Sequence, residues 1–240
     1  MKTFFGFGIS LAALVAATAA HADPVIDLTF EGINSTYPNT NGYAFINDFY
    51  NGGMSSDGTT GPNFGIVFSP NAQAICLNST SVTCSNTSKG GLGDPNSQEG
   101  ALFFLSGSST FMDIAAGFTT GFSLNYASVS DSGSVSVFSG LDGTGTLLGT
   151  LNLNPDALGC SAYSAAFCPF SPAGVNFAGI AKSIEFSGVA NEIVFDDVTF
   201  GSSTPGGVPE PSTWAMMMMG LAGIGLVARR RAKSSSALAA

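Results

Sequence analysis

From Asp23 to Gly201 the sequence never sustains a helical period. Short apolar runs rich in Phe, Val, Ile and Leu are broken repeatedly by Gly, Ser, Thr, Asn and Asp. An amphipathic helix needs an apolar stripe recurring every three to four residues over roughly ten positions or more, so β-structure is left as the way to bury these side chains. The expected strands are Val25–Phe30, Gly65–Phe68, Ala101–Leu105, Thr110–Ile114, Phe118–Val129, Ser134–Phe138, Thr146–Leu153, Ser183–Phe186 and Glu192–Phe200. Period-two alternation is clearest where Phe122, Leu124 and Tyr126 oppose Ser123 and Asn125, and where Val135 and Val137 oppose Ser134 and Ser136. Each such strand buries one face and wets the other. Asp131-Ser132-Gly133 and Asp142-Gly143 supply turn chemistry between strands. The fold class expected is all-β: a single antiparallel β-sandwich of jelly-roll type, because strands of this number must pack sheet on sheet. Asn34–Pro62 and Asn71–Gln98 are polar and Gly-rich, and read as surface loops.

Both ends differ from this pattern. Residues 1–22 read as a signal peptide: Lys2 gives a positive start, Phe4–Ala19 an apolar run, and Ala20-His21-Ala22 a small-residue cleavage site. The partners this implies are the export translocon and signal peptidase. His21 is the one histidine of the chain and departs with that segment. Ser-His and Cys-His nucleophile activation are therefore excluded, and no G-x-S-x-G, H-E-x-x-H or P-loop pattern is present. A carbohydrate-active hydrolase using two carboxylates is a third reading, with Asp48 and Asp57, or Asp94 and Glu99, near one another in sequence. The expectation is that the protein is not an enzyme.

Charge narrows the partners further. Between Asp23 and Gly207, two lysines (Lys89 and Lys182) face fifteen carboxylates, a net charge of −13. Such a surface repels nucleic acid and anionic membranes, since phosphate contacts need Lys and Arg. Four cysteines form two equally spaced pairs, Cys76 with Cys84 and Cys160 with Cys168. In an oxidising space after export, two local disulfides are favoured over a zinc site. Each would contribute about 2.6 kcal/mol by closing a loop of about nine residues.

At the other end the composition turns to Pro and Gly over residues 204–208, which read as a linker after a domain spanning 23–203. There follow Val208, the tripeptide Pro209-Glu210-Pro211, Trp214, an apolar run Ala215–Ala228 and Arg229-Arg230-Arg231, with residues 232–240 as a cytoplasmic tail. Trp214 is an interfacial anchor, the apolar run a spanning segment, and Arg229, Arg230 and Arg231 hold the far end in the cytoplasm. As a helix, Trp214–Ala228 would be about 22 Å long, short against a hydrocarbon core of about 30 Å.

This order of parts over residues 209–231 resembles the PEP-CTERM sorting signal of Gram-negative bacteria that make exopolysaccharide. The resemblance implies recognition of Pro209, Glu210 and Pro211 by an exosortase, a membrane-anchored precursor, and a destination at the cell surface or in the extracellular matrix. Chains of that family usually end soon after the basic cluster, whereas this one continues through Ala232–Ala240. Ser139–Leu148 and Phe195–Gly201 also resemble exported proteins of this kind, which implies association with a biofilm matrix.

Two candidate sites remain. Phe30-Glu31-Gly32 and Phe195-Asp196-Asp197-Val198 are similar to a pattern in jelly-roll carbohydrate-binding modules, whose first and last strands lie side by side and share a structural calcium ion. The resemblance implies calcium ligands at Glu31 and Asp197, with Asp196 as substitute, since adjacent strand residues face opposite ways. For sugar contacts, Tyr37, Tyr43 and Tyr50 stand among Asn39, Asn41, Asn47 and Asp48, pairing aromatic faces with polar groups. Together these lead to a non-enzymatic, exosortase-processed surface or matrix protein, with a polysaccharide-binding module as the alternative.

Overall fold

The computed structural model describes residues 26–33, 42–78, 84, 93–95, 99–157 and 167–206. The signal peptide, the sorting signal with Trp214 and Arg229–Arg231, Tyr37 and Cys160 lie outside these residues. Twelve strands follow one another: β1 (Ile26–Leu28), β2 (Tyr43–Phe45), β3 (Ile66–Phe68), β4 (Gln73–Cys76), β5 (Gly100–Phe103), β6 (Ser109–Phe118), β7 (Gly121–Ser128), β8 (Gly133–Phe138), β9 (Leu147–Leu153), β10 (Ser171–Asn176), β11 (Ala181–Ser187) and β12 (Ile193–Phe200). Among the described residues no helix is long and apolar enough to cross a membrane.

Seven strands form one sheet in the order β10-β7-β12-β5-β4-β2, with β1 also paired to β12, and five form the other in the order β3-β6-β11-β8-β9. All pairings are antiparallel. Three strands escaped the sequence reading. β2 and β4 lie inside the stretches read as loops, where small and polar residues hide the alternation. β10, Ser-Pro-Ala-Gly-Val-Asn, carries a proline and a glycine that count against a strand. Pro172 is tolerated because β10 is an edge strand, bonded to β7 on one side.

The sheets pack face to face over one apolar core. Leu28, Phe122, Leu124, Phe195 and Val198 from the larger sheet meet Ile66, Met112, Val135, Ile184 and Phe186 from the smaller. Phe186 bridges the layers, with ring centroids 6.2 Å from Phe122 and 5.0 Å from Phe195. Aromatic pairs of this geometry add about 0.5–1.5 kcal/mol beyond the area they bury.

A second apolar cluster sits on the other face of the larger sheet: Ile75, Leu77, Ala101, Phe103, Ala127 and Val194, closed over by Ala157 and Phe167. A sheet face turned to water should carry polar residues. This one is instead packed against Ala157, Phe167 and Phe170. Cys76 and Cys84 are joined, as the local pairing anticipated, with Cα atoms 5.8 Å apart. Cys168 is also disulfide-bonded. The segment read as a linker begins docked rather than free: the Thr204 N–H donates to Ser202 Oγ and the Gly206 N–H to Thr199 Oγ1.

Candidate functional site: a buried carboxylate cluster

β1 and β12 run side by side, with Ile26 opposite Phe200 and Leu28 opposite Val198. Along the same strand β12, Phe195 is opposite Leu102 of β5. The strand therefore changes neighbour between Phe195 and Val198, and Asp196-Asp197 falls at that seam. The ladder to β7 breaks there too: Asp196 is opposite Asn125, while the next pair is Thr199 with Ser123. Asp197 takes a left-handed backbone, φ +46°. This is a β-bulge, which frees residues from strict alternation. Both aspartates are buried, Asp196 at 0% and Asp197 at 3% exposure, in a strand whose two faces are each covered.

Glu31 reaches the same region through the turn after β1. Phe30 is also left-handed, φ 56°, a conformation uncommon for a bulky side chain and usually held by its surroundings. The chain there passes directly over β5: a Cβ on Gly100 would lie 2.2 Å from the Phe30 carbonyl oxygen, so only glycine allows this approach. Glu31 Oε1 accepts hydrogen bonds from the N–H groups of Glu99 and Gly100, at 2.8 and 2.9 Å. The first carboxylate thus pins the start of β5.

The second, Asp197, accepts a 2.9 Å bond at Oδ2 from the Asn125 side-chain amide. The third, Asp196, takes the Asp197 N–H at Oδ1 over 2.8 Å, while its Oδ2 is buried with no hydrogen-bond partner. Burial first, and then the negative fields of Asp197, Asp94 and Glu31, push the Asp196 carboxyl well above the usual carboxylate range, against the opposing pull of the Asp197 N–H. Asp94 is itself 2% exposed; nothing in the sequence reading linked it to this site. Asp27, on β1, is also raised, chiefly by burial, with Thr199 opposing and Asp94 adding. Lys182 is the one basic residue among the described residues. A buried carboxylate with an unpartnered oxygen carries a large desolvation cost in its charged form, which a proton or a cation relieves.

The unpartnered Asp196 oxygen and the acidic surroundings fit a hard cation, which takes oxygen ligands. The fit is not a finished cage. Among the described residues no three or more His, Cys, Asp or Glu side chains stand together in metal-holding geometry, and Glu31 and Asp197 already spend oxygens on Glu99, Gly100 and Asn125. Of the three carboxylates, Asp196 is the one that has a buried oxygen with no hydrogen-bond partner.

Of the tyrosines read as sugar contacts, Tyr43 and Tyr50 are described and Tyr37 lies outside the described residues. Tyr50 is a core residue, 4% exposed, whose hydroxyl accepts the Phe30 N–H at 3.0 Å. Its phenol thereby supports the Glu31 turn instead of facing solvent. Tyr43 is half-buried, edge-on to Phe103 at 6.0 Å. On the connection between β2 and β3, an open cleft of about 750 Å³ lies among Asn47, Asp48, Met54, Thr60, Phe68 and Pro70.

The described residues form a two-sheet antiparallel β-sandwich whose C-terminal segment is bonded to β12 through Gly206. Residues 207–231 match the PEP-CTERM protein-sorting motif, so the chain carries that signal, which implies an exosortase-sorted surface protein made as an exported, membrane-anchored precursor. No curated protein matches the chain. Among solved structures, the module CsCBM6-3 of Clostridium stercorarium in complex with cellobiose is 19% identical over 55% of this chain and 81% of its own, with a TM-score of 0.31. The module CBM6cm-2 of Cellvibrio mixtus lichenase 5A, in complex with cellotriose, is 12% identical over 54% and 85%, with a TM-score of 0.32. A further family 6 carbohydrate-binding module is 22% identical over 48% and 82%, with a TM-score of 0.30. Likeness at this level carries no conclusion about ligand.

Proposed function

We propose that this chain is a non-catalytic surface or extracellular-matrix protein, delivered through an exosortase to an exopolysaccharide-rich biofilm matrix. The observation that carries the reading is the sorting motif at residues 207–231 placed immediately after a β-sandwich. The sandwich is read as jelly-roll in type, in keeping with first and last strands paired side by side. Its biochemical role is structural or adhesive, because removal of residues 1–22 would leave no imidazole and its most perturbed carboxyl is buried rather than set in a cleft. The test is intact-mass spectrometry of protein recovered outside its host, compared with a strain lacking its exosortase. A chain running from near Asp23 to near Pro209, found only with the exosortase present, is the expected result. Retention of Ala215–Ala240 in both strains would show a plain membrane anchor and end the matrix reading.

In the extracellular space a structural calcium ion would neutralise the cluster around Asp196. Asp196 Oδ2 is the ligand that supports this, with Asp94, Glu31 and Asp197 supplying negative potential and backbone carbonyls or water completing the oxygen set. Calcium at a hundredfold above its dissociation constant would add about 2.7 kcal/mol to stability. The melting temperature of the exported protein should therefore rise by several degrees from EDTA to calcium, and Asp196→Asn should remove that rise.

The alternative within the same reading is polysaccharide binding. It is favoured by the open cleft beside Asp48 and Met54, which joins polar groups to an apolar floor.

A further inference from the structure

We propose that the cleft on the β2–β3 connection is the carbohydrate site, that it takes an uncharged polysaccharide, and that Asp48 and Met54 are its principal contacts. This rests on the polysaccharide-binding reading above. The connection was read from sequence as an irregular loop, yet it is built as a rigid frame. Asn51 bridges to Asn63 and Met54 to Thr60, making a small hairpin. The Asp48 carbonyl accepts from the N–H groups of both Asn51 and Gly53 at 2.9 Å, and the Gly52 N–H donates to the Pro62 carbonyl. Ser55 Oγ donates to the Ile33 carbonyl at 2.6 Å, fastening the hairpin to the turn beyond Glu31. A Cβ on Gly61 would lie 2.2 Å from the Phe49 carbonyl oxygen, so the hairpin packs down on the preceding turn without a side chain between them. Ordering of this extent lowers the entropy cost of binding.

Ser55 apart, the polar side chains around the cleft have no part in that frame. Asn47 and Asp48 are exposed, and among the described residues the side chains of Asn47, Asp48 and Thr60 take no hydrogen-bond partner. Met54 is 58% exposed although its backbone is fixed. A carboxylate accepts two vicinal hydroxyls, a carboxamide both donates and accepts, and a thioether beside Phe68 and Pro70 offers a soft apolar surface to a sugar C–H face. The sign of the charge then selects among glycans. Among the described residues Lys182 is the one basic side chain, and the region from Asp23 to Gly207 carries −13, so uronate-rich or sulfated chains are repelled while neutral hexose chains are not.

The experiment is affinity electrophoresis of the full chain, in detergent, through gels containing a soluble glucan, mannan or galactan, or alginate as the uronate polyanion. Asp48→Asn, Met54→Ala and, as a distant control, Leu147→Ala on β9 are run beside it, with melting temperatures of each. The expected result is retardation by at least one neutral polymer and none by alginate. Asp48→Asn and Met54→Ala should each weaken the neutral interaction about tenfold, at unchanged melting temperature and with Leu147→Ala unaffected. Retardation by a neutral polymer that survives both substitutions would overturn the site and leave the binding reading standing. Retardation by alginate alone would overturn the ligand class. Absence of retardation by every polymer would sink this site and the polysaccharide-binding reading together, leaving the sorting reading to its own mass measurement. If either variant melts lower, Asp48→Glu and Met54→Leu replace it, and loss of binding in neither of these overturns the site.

Discussion

Asp196 concentrates the energetics of the site in one side chain. With one oxygen on the Asp197 N–H and the other unpartnered at zero exposure, its ionised form is desolvated without compensation. Its folded-state carboxyl is raised, so the stability it contributes is fully present below the ordinary carboxylate value of 3.8 and is lost as pH rises through its elevated folded value. Asp27, Asp113 and Asp156 are raised chiefly by burial as well and add in the same direction. In EDTA the domain should therefore melt higher in mildly acidic buffer than at pH 7. Asp196→Asn keeps the shape and removes the charge. It should stabilise the metal-free protein at pH 7 by about 2 kcal/mol and flatten the pH dependence. A lower melting temperature for this variant in EDTA at pH 7 would show that the carboxylate is stabilised by something other than a proton or a cation. None of this was legible from the Asp-Asp pair alone. Strict alternation sends neighbouring side chains to opposite faces, and only the topology shows that both faces of β12 are covered, so that both aspartates are buried.

At the level of elements, the turn after β1 is where a small change has large consequences. Gly100→Ala puts a methyl group 2.2 Å from the Phe30 carbonyl oxygen, on backbone that has no side chain to move aside. The expected cost is about 2–4 kcal/mol, read in chemical denaturation, together with loss of the calcium response, because Glu31 would leave the Glu99 and Gly100 N–H groups. A melting temperature within a degree of the parent would mean that β1 shifts freely and that the turn is not a fixed part of the site. The Cys76–Cys84 bridge acts on another element, the end of β4 beside the second cluster of Ile75, Leu77 and Phe103. Replacing both cysteines by alanine should cost about 2–3 kcal/mol and expose this second cluster, detected as increased binding of an apolar dye. The cysteine spacing made the bridge readable in advance. That it lies beside an apolar outer face was not, because Ile75 and Ala101 look like ordinary core residues until the topology assigns them to the far side of the sheet.

Over the whole molecule, charge and tether act together. A domain with −13 over its exported region is repelled by anionic lipid, yet its C-terminal segment stays bonded to β12 up to Gly206, immediately before the sorting motif. The precursor should consequently hold its sandwich close to the membrane, and release from washed membranes should follow processing by the exosortase rather than high salt. Extraction of the unprocessed precursor by 1 M salt alone would contradict this arrangement.

Composition and spacing were enough to establish the all-β class, the sorting motif at residues 207–231 and the local disulfide at Cys76–Cys84, because each depends on local periodicity or on which residues stand near one another. Which carboxylates meet, which tyrosine is core and which loop is rigid depended on contacts between residues far apart in the chain. Glu31 lies against Gly100, Asn125 against Asp197, and Ser55 against Ile33, and only the packing of two twisted sheets brings such pairs together.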